Sequence, residues 1–232
     1  MPFKIVILWT DALIYLLLVV VALLVWHVRR HEHLAAPWRK VARSPSGLAA
    51  ATVLSLFVAI GLADSAHYRP AVAVKDGKTV YAVEVLSVLD AIAAPLRARK
   101  EKTYSAPLAT QLFAKEAIEL PDGRQARDYP RLRHGGAHLE RPEEQWASDI
   151  AHRTLRGAAA GVVLWLVLVI LLCALLARRA GADVDEIWKA IWHGETEVPW
   201  RAVLVTLAVV LVAVVPLLAL AAYYHVFGTD KV

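Results

Sequence analysis

Residues 202–224 read AVLVTLAVVLVAVVPLLALAAYY, a run of 23 positions without a charged side chain. A bilayer's hydrocarbon core is about 30 Å thick and takes about 20 helical residues to cross, so this run is long enough by itself. Working back along the chain, Gly157 to Ala177 and Ser44 to Ala63 are also uncharged, and Ala12 to Val28 carries only His27. The earliest run becomes adequate if Thr10 or Asp11 caps its start and the helix continues to Arg29. Hydrophobic residues make up 58% of the chain, against roughly 45–50% in an ordinary soluble domain, and the mean hydropathy is +0.49. The expected fold is a mainly α polytopic membrane protein with four transmembrane helices.

Cations in the short loops orient such a chain, because positively charged loops stay in the cytoplasm. Arg29, Arg30, Arg39, Lys40 and Arg43 follow the first run, and Arg178, Arg179, Lys189 and Arg201 follow the third. The termini offer only Lys4 and Lys231. Residues 1–63 therefore read as a helix pair joined by a basic cytoplasmic loop, and residues 157–224 as a second pair. Both termini and residues 64–156 are expected in the periplasm, across a bacterial inner membrane. The 15 cations of that long segment do not weigh against this, since long loops translocate largely regardless of charge.

The net charge of +5 does not indicate nucleic acid. Its cations sit at span ends or near acids, and the densest run, Arg97 to Lys102, contains Glu101 and lacks interleaved aromatics. A cleaved signal peptide is also a poor reading of the first run. It is too long, and its charges follow rather than lead. The sole cysteine, Cys173, lies within the third run and excludes an internal disulfide.

Residues 64–156 are long enough for a small α+β domain between the second and third spans. Asp76-Gly77 is a strong hairpin signal, predicting paired strands at Ala71–Val74 and Thr79–Val85. Val85 or Leu86, then Leu89, Ile92, Ala93 and Leu96, carry helical spacing that Pro95 bends or ends. A second helix is predicted from Pro107 through Phe113 to Ala117. Pro121-Asp122-Gly123-Arg124 then turns Ala117–Leu120 back onto Gln125–Tyr129, and Arg131 to Arg141 reads as an ordered or semi-ordered loop.

Other signals lie at the span ends. Ser44-Pro45 supplies an N-cap and a proline at the first helical position. Gly157 and Gly161 form a small-xxx-small pattern, which either lets helix backbones pack closely or merely eases a helix start. Asp183 to Glu186 reads as a capping box, opening a helix over 183–193. There Val184, Ile187, Trp188, Ile191 and Trp192 form one apolar stripe ended by Gly194. Trp188 and Trp192 are read as interfacial anchors to the lipid bilayer on the cytoplasmic side, with docking onto a partner protein as the rival. Pro216 reads equally as a gating hinge and as a static kink. Asp11 is read as a helix-start cap rather than a group inside the membrane.

No catalytic, cofactor or metal constellation emerges, and no enzymatic activity is expected. His134 and His138 have i, i+4 spacing but enclose two glycines, and two ligands fall short of a zinc site. His31-Glu32-His33 lacks the spacing of a zinc-protease motif. Gly77-Lys78-Thr79 ends like a phosphate-binding loop, but Val72 stands where the first glycine belongs.

The last run exits into His225-Val226-Phe227-Gly228-Thr229-Asp230. This resembles a segment of the permease subunits of bacterial ABC importers for dipeptides, oligopeptides and nickel, where a span leads into H-P-(L/F)-G-T-D. The chain matches at His225, Phe227, Gly228, Thr229 and Asp230, and departs at Val226, where the family usually has proline. The resemblance implies that residues 225–232 begin the permease segment, truncated here, with Gly228, Thr229 and Asp230 shaping the periplasmic mouth. It further implies a second permease subunit, ATP-binding subunits and a periplasmic substrate-binding protein as partners, one of which the 183–193 helix would meet under its rival reading. Family members commonly have one span before this segment, so residues 1–201 are an extension, and neither short loop carries the family's ATPase-coupling pattern. Peptide and nickel transporters share the segment, so it does not name the substrate; peptides are the expected cargo of this class. A membrane-anchored sensor or scaffold, working through its periplasmic domain, is the alternative.

Overall fold

The structure, a computed structural model, describes residues 3–75, 78–99, 101, 104–119 and 125–226. Four of its helices are long and apolar enough to cross a membrane: α1 (Trp9–Arg30), α3 (Pro45–Ser65), α6 (Pro142–Ala180) and α8 (Trp200–Ala221). Their large aliphatic side chains, among them Leu16, Leu17, Leu54, Ile170 and Leu218, face outward. A continuous apolar surface of this extent does not suit water and does suit lipid. α6 has 39 residues and is about 58 Å long at 1.5 Å per residue. That is nearly twice a hydrocarbon core, so its charged first part, 142–156, stands clear of the uncharged 157–177 run.

The chain divides into two compact units, residues 1–94 with 173–206 and residues 95–172 with 207–232. In the first, α1 and α3 are joined by α2 (Glu32–Ala42). Ser44 caps α3, its Oγ accepting from the Gly47 N–H at 3.1 Å with Pro45 in the first turn. Beyond α3 comes a small antiparallel sheet with β2 (His67–Lys75) at its centre. The strands β1 (Phe3–Val6), β3 (Lys78–Tyr81) and β4 (Leu86–Ser87) all pair with β2. The β2–β3 hairpin forms as expected, with Lys75 opposite Lys78, but β3 ends at Tyr81 rather than Val85 and the register shifts between Ala71 and Ala73; the Asp76-Gly77 turn lies outside the described residues. α7 (Val184–His193) is the predicted apolar-striped helix, closed by Gly194 at φ +76°.

The second unit pairs β5 (Glu116–Glu119) with β6 (Gln125–Asp128); the 121–124 turn again lies outside the described residues. A structured loop, 129–141, leads into α6. α6 packs on α8 through its glycines: a Cβ at Gly157 would stand 2.6 Å from Pro216 Cα, and one at Gly161 2.9 Å from the Leu211 carbonyl oxygen. Backbones approach here at distances that any larger residue would forbid.

Several elements depart from expectation. No helix runs from Pro107 to Ala117. Leu108 adopts φ +63°, and the backbone of this stretch bonds outward, the Leu112 N–H donating to Pro130 O at 2.8 Å and the Thr110 carbonyl accepting the Leu132 N–H at 3.0 Å. Cross-chain pairing has replaced the i→i−4 ladder. The helix expected over 86–96 is shortened to α4 (Val88–Ile92) and α5 (Ala94–Arg97), because Leu86-Ser87 is drawn into the sheet and Ser87 caps α4 through Asp90. Asp183 takes the N-cap position of α7 without a side-chain cap bond, so the reciprocal capping box is not formed. Neither β1 nor α2 was expected.

The glycine contacts predict an asymmetric response to alanine. Gly157→Ala should cost about 1–3 kcal/mol, as overpacked sites do, and Gly161→Ala somewhat less. Gly61 on α3 has nothing within 4 Å of a built Cβ, so Gly61→Ala should be neutral or gain up to about 1 kcal/mol from helix propensity. Thermal unfolding of the detergent-solubilised variants measures the order, and equal losses at 157 and 61 would contradict it.

Candidate functional site

The densest polar cluster of the second unit forms where the chain leaves α8. Trp146, Asp149 and Arg153 recur at i, i+3 and i+7 on the charged first part of α6 and so share a face. Three donor groups converge on one oxygen, Asp149 Oδ2: Tyr224 Oη donates at 2.7 Å, Arg153 Nε at 2.7 Å, and His138 Nε2 lies at 2.8 Å. The Arg153 guanidinium also lies 3.4 Å from the centre of the Tyr223 ring. The His138 ring meets Tyr223 and Tyr224 edge-on, at 5.1 and 5.9 Å. Tyr224 is 3% exposed, and its hydroxyl reaches an Asp149 side chain that is itself only partly covered.

Backbone bonds hold the same exit. Gly136 N–H donates to Tyr223 O at 2.9 Å from a left-handed conformation, φ +64°, and a Cβ there would stand 2.8 Å from Thr110. Leu108 N–H donates to His225 O at 2.9 Å, and Trp146 Nε1 donates to Leu108 O at 2.8 Å. Glu101 accepts the N–H groups of Arg133 and His134 at 2.7 and 3.0 Å, with His225 Nε2 at 3.5 Å. Arg131 ties the loop on itself through the carbonyls of Gly136 and Leu139. Tyr223, Tyr224 and His225 are thus fastened by segments 70 or more residues away in sequence.

Electrostatics follow from this geometry. Burial alone would raise the Asp149 pKa, but hydrogen bonds from Arg153, Tyr224 and His138 together outweigh it and hold the carboxyl at about 2. Burial and the adjoining carboxylate push the Tyr224 hydroxyl well above its ordinary value, so it remains a donor. Glu101 is also lowered, its burial outweighed by the two backbone donors and His225. His138 Nε2 is engaged by Asp149, and the Tyr224 hydroxyl donates to the same carboxylate oxygen. The cluster's chemistry is that of a clamp, tying the residues that follow α8 to α6 and to the 129–141 loop.

In the first unit Asp11 is 2% exposed. Its Oδ2 accepts the Leu8 N–H at 2.9 Å and lies 2.9 Å from His67 Nδ1; α1 thus starts earlier than expected, with Leu8 at the N-cap and Asp11 bonding back to it from inside the first turn. Beside it, Phe3, Ile5, Tyr15, Tyr68 and Val88 line an apolar cleft of about 670 Å³.

The residues singled out by sequence do not gather at one place. Gly228, Thr229 and Asp230 lie outside the described residues. Gly157 and Gly161 face α8, and Trp188 and Trp192 stack edge-on at 5.2 Å on α7. His134 and His138 part company, the first bonding Glu101 through its backbone and the second Asp149 through its ring. Among the described residues no group of three or more His, Cys, Asp or Glu could hold a metal ion. The Asp149 cluster was missed entirely. Its one local signal is the Asp149–Arg153 pair at i, i+4, which ordinarily marks a solvated helix face.

Asp149 should therefore make stability acid-sensitive. Its folded pKa lies below the ordinary carboxylate value of about 4, so its contribution is complete above that pH and is lost as pH falls toward 2. Allowing for solvent screening, that contribution is on the order of 1–2 kcal/mol. Tyr224→Phe, which leaves the carboxylate one donor short, should cost about 1–2 kcal/mol at neutral pH. Asp149→Asn should flatten the acid limb of a pH–stability curve, and a limb unchanged in that variant would count against the clamp.

Compared with known proteins, the chain matches no family model, no curated protein and no solved structure.

Proposed function

We propose that this chain is the N-terminal portion of a membrane-spanning permease subunit of an ATP-driven ABC importer, with peptides as its cargo. The observation that carries the proposal is His225-x-Phe227-Gly228-Thr229-Asp230 directly after a helix apolar enough to be a span. The clamp at Tyr223–His225 supports it, because a segment that shapes a mouth needs a defined point of departure from its helix. Gly228 permits a tight turn, and the oxygens of Thr229 and Asp230 suit capping of backbone amides in the adjoining segment.

In this reading α1, α3, α6 and α8 cross a bacterial inner membrane. Residues 29–43 and 178–201 lie in the cytoplasm, and both termini with residues 64–156 lie in the periplasm. The polar part of α6 and its clamp then stand at the periplasmic surface, within reach of a substrate-binding protein. α7 lies along the cytoplasmic surface with Trp188 and Trp192 toward lipid. Partner subunits supply ATP hydrolysis and the rest of the pathway; the chain itself catalyses nothing.

A specific feature favours the second reading, a sensor or scaffold. Ser105, Gln111, Phe113, Tyr129, Glu143 and Trp146 line an open cleft of about 510 Å³ in the second unit, a size that accepts a small ligand.

Two measurements test the proposal. In a Cys173→Ser background, Asp128→Cys should react with an impermeant thiol reagent in intact spheroplasts; labelling only after disruption reverses the orientation and removes the family match. Joined to a permease core and co-expressed with its partner subunits, the chain should restore ATP-dependent peptide uptake, and Asp230→Ala should reduce uptake without reducing membrane insertion. Uptake by residues 1–232 without any ATPase would refute the reading.

A further inference from the structure

α2 is tied to the membrane at both ends. One residue, His31, separates it from α1, and two, Arg43 and Ser44, separate it from α3. Since α1 and α3 have the length and composition of spans, an 11-residue helix between them is held at the bilayer surface. Its sequence, EHLAAPWRKVA, is built for that place. Leu34, Trp38 and Val41 recur at i, i+4 and i+7 and are all exposed. At 3.6 residues per turn, Arg39 falls about 140° to one side of Leu34 and Lys40 about 120° to the other. The two cations therefore share the face opposite the apolar row, the amphipathic arrangement of a helix lying in an interface, from which long Arg and Lys side chains can reach back to headgroups. Arg39, Lys40, Arg43 and Ser44 line a recess of about 500 Å³.

We propose that this elbow binds an anionic phospholipid of the surrounding bilayer, its phosphate held by Arg39, Lys40 and Arg43 while Leu34, Trp38 and Val41 enter the acyl boundary. Residues 29–43 hold five Lys and Arg against one acid, Glu32. Arg39 pairs with Glu32 and Arg43 with Glu197, both on exposed surface, where an ion pair contributes little and yields readily to a phosphate. Lipid, rather than an acidic protein, is the fitting partner because apolar row and cations share one short helix that both spans keep at the headgroups. A protein would use the cations and leave Trp38 in water. Cations near a membrane surface each add to attraction for anionic lipid. The inference uses only the spans and is independent of the transport reading.

The test is native mass spectrometry of the delipidated full chain, titrated with phosphatidylglycerol and with phosphatidylcholine of the same acyl chains. Phosphatidylglycerol should bind at least about tenfold more tightly. Arg39→Gln/Lys40→Gln/Arg43→Gln should lower it to the phosphatidylcholine level. Arg39→Lys/Arg43→Lys, which keeps the charge, and Lys115→Gln/Arg127→Gln, away from the elbow, should leave it unchanged. Equal binding of the two lipids would overturn the proposal, as would a loss in the lysine variant as large as in the glutamine variant. Millimolar inorganic phosphate that displaced the lipid completely would overturn it too, revealing a simple anion site.

Discussion

Hydrocarbon offers a polar group no partner, so each amide within the four apolar runs must bond inside its own helix. Everything else in the molecule accommodates that demand. Polar side chains are pushed to the helix ends, where the last carbonyls and first amides also need partners. That is where they are found: Asp11 takes the Leu8 amide, Tyr15 donates to the Ser65 carbonyl at 2.9 Å, and Asp149 gathers three donors beside the end of α8. Matching of this kind matters, because a buried group left unmatched would cost a large part of a domain's marginal stability.

The two regions outside the spans solve a common problem differently. In the first unit a small sheet provides the backbone bonds, with β2 flanked by strands from both directions along the chain. In the second, much of the work falls to side chains reaching main-chain groups: Glu101 on two amides, Arg131 on two carbonyls, Trp146 on a third. A region with little regular structure needs such polar stitching in place of ladder bonds, and the stitching here converges on Tyr223, Tyr224 and His225.

What could be read from the sequence was local. The apolar runs, the Ser44-Pro45 start, the stripe of α7 and the strands flanking Asp76-Gly77 each declare themselves within a few residues. Phe3–Val6 did not, because four residues carry too little pattern and their partners lie at 67–70. α2 was hidden by its length and by Pro37 within it. The Pro107–Ala117 stretch misled because its apolar spacing suits a helix, while its amides find better partners at Pro130 and across the chain. The Asp149 cluster was illegible for the same reason on a larger scale: His138, Asp149, Arg153 and Tyr224 meet only after folding, and none is unusual where it stands.

The pairing of β1 with β2 imposes a rule of parity. Phe3 lies opposite Pro70 and Val6 opposite His67, so both strands must end on one side of any barrier between them. An even number of crossings is the only solution for residues 7–66, and α1 with α3 makes two. If one of these helices failed to insert, the strands would be stranded in different compartments and the sheet could not close. The sheet can therefore close only on chains in which α1 and α3 share one fate, both crossing or neither, and it does so whichever way the pair faces.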